Sequence, residues 1–180
     1  YPCFVKPSNA GSSVGISKAK NRAQLKDALA LAAQYDKKII VEQAIEGREF
    51  ECAVLGNDEP QTSGVGEVLA AAEFYDYDAK YNNSDSRTVI PADIPEDKLR
   101  EMQRIAARIF RAVDGSGLAR VDFFMEKDTD KIYFNELNTM PGFTTISMYP
   151  MLWEEAGISK TELMDRLIEL ALARDTGIRG

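Results

Sequence analysis

Histidine is absent from this chain of 180 residues. That excludes a Ser-His-Asp triad and any zinc site built on imidazole. Cysteine is scarce: Cys3 and Cys52 are the two present, both in apolar, strand-like runs. Two such residues make no disulfide framework and read as buried free thiols in a reducing compartment. No apolar run reaches the roughly 18 residues of a membrane span. No cluster of Lys or Arg dominates, and the net charge is -7, so nucleic acid is not expected as a partner. An acidic protein that binds a polyanion must instead place single cations at one site. No signal peptide is visible, and the chain opens at Tyr1-Pro2-Cys3-Phe4 without Met, so it reads as a piece of a longer protein.

What is present reads as an ordinary globular composition, 44% hydrophobic and 28% charged. Phe4-Val5-Lys6 reads as a strand, a small-residue loop follows from Pro7 to Ser13, and Val14 to Ser17 returns as a second strand. Asn21 and Gln24 form a capping box for a helix carrying Leu25, Ala28, Leu29 and Ala32 and ending near Tyr35. Ile39 to Glu42 and Arg48 to Leu55 read as strands. From Gly56 to Pro95 only Gly66-Glu67-Val68 and Thr88-Val89-Ile90 look extended. Pro95 opens a helix with a stripe of Leu99, Met102, Ile105, Ala106, Ile109, Phe110 and Val113, stopped at Gly115. A hairpin follows, Leu118 to Met125 and Lys131 to Asn138. Ser159-Lys160-Thr161-Glu162 caps the last helix, with Leu163, Leu167, Leu170 and Ala171 facing in. This order predicts an α+β fold with antiparallel sheets.

The chemistry concentrates near Asn135-Glu136-Leu137-Asn138. Residues at i and i+2 of a strand share a face, so Glu136 and Asn138 point the same way. Hard oxygen donors side by side suit Mg²⁺, which takes few protein ligands; a polar edge strand explains the pair equally well. If the hairpin loop has an odd length, such as Asp128-Thr129-Asp130, Asp122 sits opposite Glu136 and Arg120 joins them. Carboxylates placed opposite each other repel unless a divalent cation, or Arg120 alone, neutralises them.

Three further segments carry weaker signals. In Lys6-Pro7-Ser8-Asn9-Ala10-Gly11-Ser12-Ser13-Val14-Gly15 the Lys precedes the glycines and a strand follows, so it is not a Walker A loop. A Gly-Ser hairpin can still offer N–H groups to phosphate beside the Lys6 cation, although most such loops are turns. Val41 to Glu49 reads as a strand running into an irregular segment, able to read an adenine edge or simply to form a solvated turn. Phe74 to Tyr81 interleaves aromatics with charge in a long loop, which fits a lid, with Lys80 as a second cation.

Lys6-Pro7-Ser8 to Gly15, Glu42 to Glu49, Tyr75 to Tyr81, Ala119-Arg120-Val121-Asp122 and Asn135 to Thr144 occur in an order that closely resembles bacterial D-alanine–D-alanine ligases, enzymes of the ATP-grasp fold. The resemblance covers nearly the whole chain and implies two lobes with mainly antiparallel sheets, residues 1–50 in the central lobe and 51–180 in the C-terminal catalytic lobe. It implies that ATP drives the joining of two D-alanines through an acyl phosphate, for peptidoglycan precursors, in the cytoplasm, with the full-length protein a homodimer and neither nucleic acid nor membrane as partner.

Residue by residue, the resemblance implies that Asp122, Glu136 and Asn138 hold two Mg²⁺ (or Mn²⁺). Lys6, Lys80 and Ser13 contact ATP phosphates, Glu42 and Ile45 line the adenine site, and Glu49 binds ribose. Arg120 and the Gly142 amide meet the oxyanion, Ser12 and Tyr81 serve around the first D-alanine, and Ser147 and Met148 bind the second D-alanine's carboxylate. Tyr81, where enzymes making D-alanyl-D-lactate commonly carry Phe, points to the dipeptide. The family's N-terminal domain carries a glutamate that orients the first substrate and a further nucleotide-binding lysine. Both correspond to sequence before Tyr1, so this chain alone is expected to be inactive.

Overall fold

A computed structural model describes residues 1–9, 14–69 and 87–174. The chain divides into two compact units, one built on Tyr1–Glu46 and the other on Gly47–Leu69 and the chain from Thr88 onward.

In the first unit, β1 (Cys3–Pro7) is the central strand of a three-stranded sheet between β2 (Ser17–Ala19) and β3 (Ile39–Gln43), antiparallel to both. The second strand begins later than the sequence suggests. Val14 and Gly15 belong to a turn, and Gly15 sits at φ +73, where a side chain would also strike Tyr35 and Pro7. Helix α1 (Arg22–Ala32) starts at Asn21, whose side chain accepts from the Gln24 N–H, while the Gln24 side chain accepts from the Lys20 N–H. Its Ala28 and Ala32 pack with Val5, flanked by Leu25, Leu29 and Ile39.

The second unit is a five-stranded antiparallel sheet in the order β6-β5-β4-β7-β8, with β4 Gly47–Gly56, β5 Gln61–Leu69, β6 Arg87–Val89, β7 Gly117–Glu126 and β8 Ile132–Asn138. β5 is longer than the three residues read from sequence, because Gln61 and Thr62 also pair against β4, beyond a register shift that leaves Ser63 and Gly64 between the two paired stretches. One sheet face carries Phe50, Cys52, Val54, Val65, Val121, Phe123 and Met125. Met102, Ala106 and Phe110 of α2 (Glu96–Ala112) close over it. α2 ends in a Schellman motif: Asp114 takes φ 56, its N–H reaches the Arg111 carbonyl, and the Gly115 N–H reaches that of Phe110. Gly115 is required by space, since a Cβ there would lie 2.7 Å from the Phe110 ring. Val113, counted in the buried stripe from sequence, is exposed at this helix end.

The other sheet face is covered over part of its length. Ala53, Leu55 and Leu118 pack on Met148, Tyr149, Leu152 and Trp153 of α3 (Met148–Glu155) and on Leu163 of α4 (Lys160–Ala173). α3 was not expected from sequence. It is apolar nearly all round, as a buried helix can be, and so shows no 3.6-residue contrast. Among the described residues no helix is long and apolar enough to cross a membrane.

Candidate active site

β4 and β7 pair over ten residues without a register shift, which places Glu51 opposite Asp122 and Ala53 opposite Arg120. β7 and β8 continue both rows, with Asp122 opposite Glu136 and Arg120 opposite Asn138. One line of three carboxylates therefore crosses three strands, and beside it runs a line ending in Arg120 and Asn138. All lie on the face that α3 and α4 leave uncovered at this end.

The expected pairing of Asp122 with Glu136 is present, but by a route other than an odd loop. The Glu126 N–H donates to the Lys131 carbonyl, which leaves the even turn 127–130. That turn alone would put Asp122 opposite Asn135. The register instead shifts by one between Asp122 and Phe123, and Asn135 is the extra residue of a β-bulge. Bulges recur beside functional sites because they re-aim a side chain. Here the bulge keeps Ile132 and Leu137 on the α2 side, and Glu136 and Asn138 on the polar face.

Three carboxylates facing one guanidinium form a negative cluster, and the contacts show how it is held. Arg120 donates from Nε and Nη2 to the two Asp122 oxygens, both at 2.7 Å, and its Nε lies 3.0 Å from Glu51 Oε2. Asn138 Nδ2 donates to Asp122 at 3.0 Å and to Glu136 at 3.3 Å. Asp122 is 2% exposed and Glu51 8%, while Glu136 stands at the open rim. Burial alone would lower the Arg120 pKa. The Asp122 hydrogen bonds and the charges of Asp122, Glu51 and Glu136 outweigh it and push the pKa far above the ordinary value. Arg120 is thus a fixed cation.

A hard divalent ion fits this donor set. Among the described residues no three Asp, Glu or Cys side chains converge to hold a metal unaided. Asp122, Glu136 and the Asn138 amide oxygen would be a partial shell of the kind Mg²⁺ takes, the remainder being water and phosphate oxygens. Each carboxylate oxygen has a second lone pair, so an arginine bond does not exclude coordination. Asn138 must turn its amide to present oxygen where its nitrogen now lies.

The other expected site residues are distributed as follows. In the first unit Lys6 Nζ lies 2.9 Å from Glu42 Oε1, so the cation expected at phosphate and the carboxylate expected at adenine form an ion pair. Ile45 is half-buried in the link from β3 to β4, and Glu49 lies on β4 two residues before Glu51, hence on the same face. Gly142 is in the exposed loop after β8, where a Cβ would meet Ser147 Oγ at 2.7 Å. Ser147 precedes α3, and its Oγ accepts from the Thr144 N–H at 2.9 Å. The Met148 side chain is buried, against Gly66, so the group it can offer a ligand is its backbone N–H in the first turn of α3, where the helix itself supplies no acceptor. Ser12, Ser13, Lys80 and Tyr81 lie outside the described residues. Glu51 was not foreseen.

Residues 1–169 match the family model described as D-ala D-ala ligase C-terminus. The chain belongs to the D-alanine–D-alanine ligase family. It is 60% identical over 97% of its length to the D-alanine–D-alanine ligase of Acetivibrio thermocellus, covering 46% of that relative, and 59% identical to that of Heliobacterium modesticaldum, covering 48%. Among solved structures it is similar to the D-alanine–D-alanine ligase of Coxiella burnetii, with TM-score 0.83, 40% identity, and coverage of 94% of this chain and 44% of that one. It is equally similar to the VanG D-Ala:D-Ser ligase of Enterococcus faecalis, with TM-score 0.85, 41% identity, and coverage of 94% and 49%. The α+β fold with antiparallel sheets is that of these ATP-grasp ligases. The chain spans about half the length of the curated relatives it matches.

Proposed function

We propose that this chain is the catalytic half of an ATP-dependent ligase that joins two D-alanines into D-alanyl-D-alanine for peptidoglycan precursors, working in the cytoplasm as a homodimer. One observation carries the proposal: the Asn135 bulge brings Glu136 and Asn138 onto the face that already holds Asp122 and Arg120. The two units are, in this reading, the central and C-terminal lobes.

A carboxylate is a poor acyl donor because its oxygen is a poor leaving group. A carboxylate oxygen of the first D-alanine takes the γ-phosphoryl group of ATP, ADP departs, and an acyl phosphate results. Phosphoryl transfer needs positioning and charge neutralisation more than covalent help. Asp122, Glu136 and Asn138 would hold two Mg²⁺ (or Mn²⁺), whose contribution is to neutralise phosphate charge. Lys6, Lys80 and Ser13 would contact the phosphates, and Glu42, Ile45 and Glu49 the nucleoside. The amine of the second D-alanine then attacks the carbonyl carbon, loses a proton, and inorganic phosphate leaves. Arg120 and the Gly142 N–H would meet the oxyanion as it develops. Ser147 and the first N–H groups of α3 would bind the second carboxylate, a helix N-terminus being a natural anion site. Ser12 and Tyr81 would complete the surroundings of the first substrate.

The likeness to the D-Ala:D-Ser ligase favours a second reading, in which the acceptor is D-serine; a D-lactate acceptor is a third. A non-catalytic nucleotide-binding fragment is the fourth. The discriminating assay gives the full-length protein ATP, Mg²⁺ and D-alanine, alone or with equimolar D-serine or D-lactate. D-alanyl-D-alanine is expected to dominate at neutral pH, with ADP release strictly dependent on D-alanine. Predominance of either mixed product, or no D-alanine-dependent turnover, overturns the reading. The 180-residue chain alone is expected to show no ligation.

A further inference from the structure

Glu51 is a buried carboxylate on β4, opposite Asp122 and within 3.0 Å of the Arg120 guanidinium. In this structure Arg120 is shared: two bonds go to Asp122 and one close contact goes to Glu51. If Asp122 is drawn into coordinating a divalent cation, that cation repels the guanidinium beside it, and the Asp122 bonds to Arg120 weaken. A guanidinium released in this way would swing out of the position in which it can meet a developing oxyanion. Glu51 lies on the far side of Asp122 from Glu136, since β7 separates β4 from β8, and so is the carboxylate of the row farthest from the rim donors.

We propose that Glu51 is a positioning residue that retains Arg120 when Asp122 turns to the cation, so that one carboxylate serves the arginine and the other serves the metal. The proposal rests on the ligase reading above for its catalytic consequence, but its binding consequence does not depend on that reading. Glu51 acts through Arg120 and touches no reacting atom.

A double-mutant cycle isolates this role, because residues that act through one another give non-additive effects. In the full-length protein with ADP present, Glu51→Gln is expected to weaken Mn²⁺ binding about tenfold, because Arg120 then clings to Asp122. It is also expected to lower kcat by about ten- to a hundredfold with KM for ATP changed less than about threefold, the pattern of a lost transition-state interaction. In an Arg120→Met background the same substitution should change each quantity by less than about twofold. Equal losses in both backgrounds, or none in either, overturn the proposal. The Arg120 side-chain Nε–H resonance gives a reading that does not need the Met variant. With Mg²⁺ and ADP it should exchange slowly with water in the wild type and rapidly in Glu51→Gln; slow exchange in both overturns the proposal. A wild-type protein that makes no dipeptide yet shows the Mn²⁺ cycle refutes the ligase reading while upholding the role of Glu51.

Discussion

Asp122→Asn separates the structural part of the carboxylate cluster from its binding part, because it removes a charge at nearly constant volume. In this structure Asp122 accepts two bonds from Arg120 at 2.7 Å and one from Asn138 at 3.0 Å. A hydrogen bond to a charged group contributes about 1.5–3 kcal/mol, and outright rupture of a buried ion pair costs about 3–5 kcal/mol. Arg120 does not become unpaired here, since Glu51 remains at 3.0 Å, and the new amide oxygen keeps one acceptor in place. The net loss of stability is therefore expected near the low end, about 2 kcal/mol.

The effect on a divalent cation is larger. Even one unit charge at about 4 Å in an effective dielectric of about 20 is worth about 4 kcal/mol, and a coordinating carboxylate is closer than that. With about 1.4 kcal/mol per decade, Mn²⁺ affinity should fall by at least about a hundredfold. Two measurements on the full-length protein decide it: urea unfolding without metal, and Mn²⁺ titration by electron paramagnetic resonance with ADP present. A variant that loses about 4 kcal/mol or more of stability but binds Mn²⁺ within about threefold of wild type would show Asp122 to be a counter-ion for Arg120 and nothing more.

Four further outcomes follow from particular contacts. Gly47→Ala should destabilise by more than about 2 kcal/mol in urea unfolding, since its Cβ would press on the Met125 backbone carbonyl, which cannot move without opening β4 from β7; a loss under about 0.5 kcal/mol refutes this. Burial pushes the Cys52 thiol up to about 12, so at pH 8 a disulfide reagent should titrate half-buried Cys3 alone until the protein unfolds; two fast-reacting thiols in the native state refute it. Gly142→Ala should displace Ser147 Oγ from the Thr144 N–H, lowering kcat/KM for D-alanine more than about tenfold while the melting temperature stays within a few degrees; unchanged kinetics sink it. Asp36 is held below its ordinary 3.8, chiefly by the Lys38 N–H, against some desolvation and with help from Asn9. A lowered folded pKa means its stabilisation is present above the unfolded value and lost as pH falls through the folded one. Asp36→Asn should therefore be less stable than wild type at pH 7, with the gap closing on acidification below about pH 4; a gap that widens contradicts the assignment.

The polar face was largely legible because its members lie close in sequence. Arg120 and Asp122 are i and i+2 on one strand, Glu136 and Asn138 on the next, and the two strands form a hairpin. Glu51 was hidden because its neighbours in space come from a strand about seventy positions later, and Glu49-Phe50-Glu51-Cys52 reads simply as an alternating strand. The Asn135 bulge left a trace that could have been read. Ile132, Phe134 and Leu137 step by two and then by three, so an unbroken strand cannot keep Ile132 and Leu137 on one face. α3 escaped because Met148-Tyr149-Pro150-Met151-Leu152-Trp153 has apolar residues all round and a Pro in its first turn, where its missing N–H costs nothing.

The two helices that cover the site face also explain why three carboxylates can stand in a row there. α3 and α4 bury Ala53, Leu55 and Leu118, and the Tyr149 hydroxyl reaches the Val54 carbonyl at 3.1 Å, so this end of the sheet is anchored by apolar packing. The polar end needs no apolar cover of its own, and repulsion within the row is met by Arg120 and Asn138. A hydrophobic row at the same positions would satisfy the fold at least as well, since replacing buried ion pairs by apolar groups is often neutral or stabilising. Stability alone therefore does not select a carboxylate row here. In the ligase reading proposed above, it would be a surface charged to receive a cation, with Arg120 held between the two most buried members.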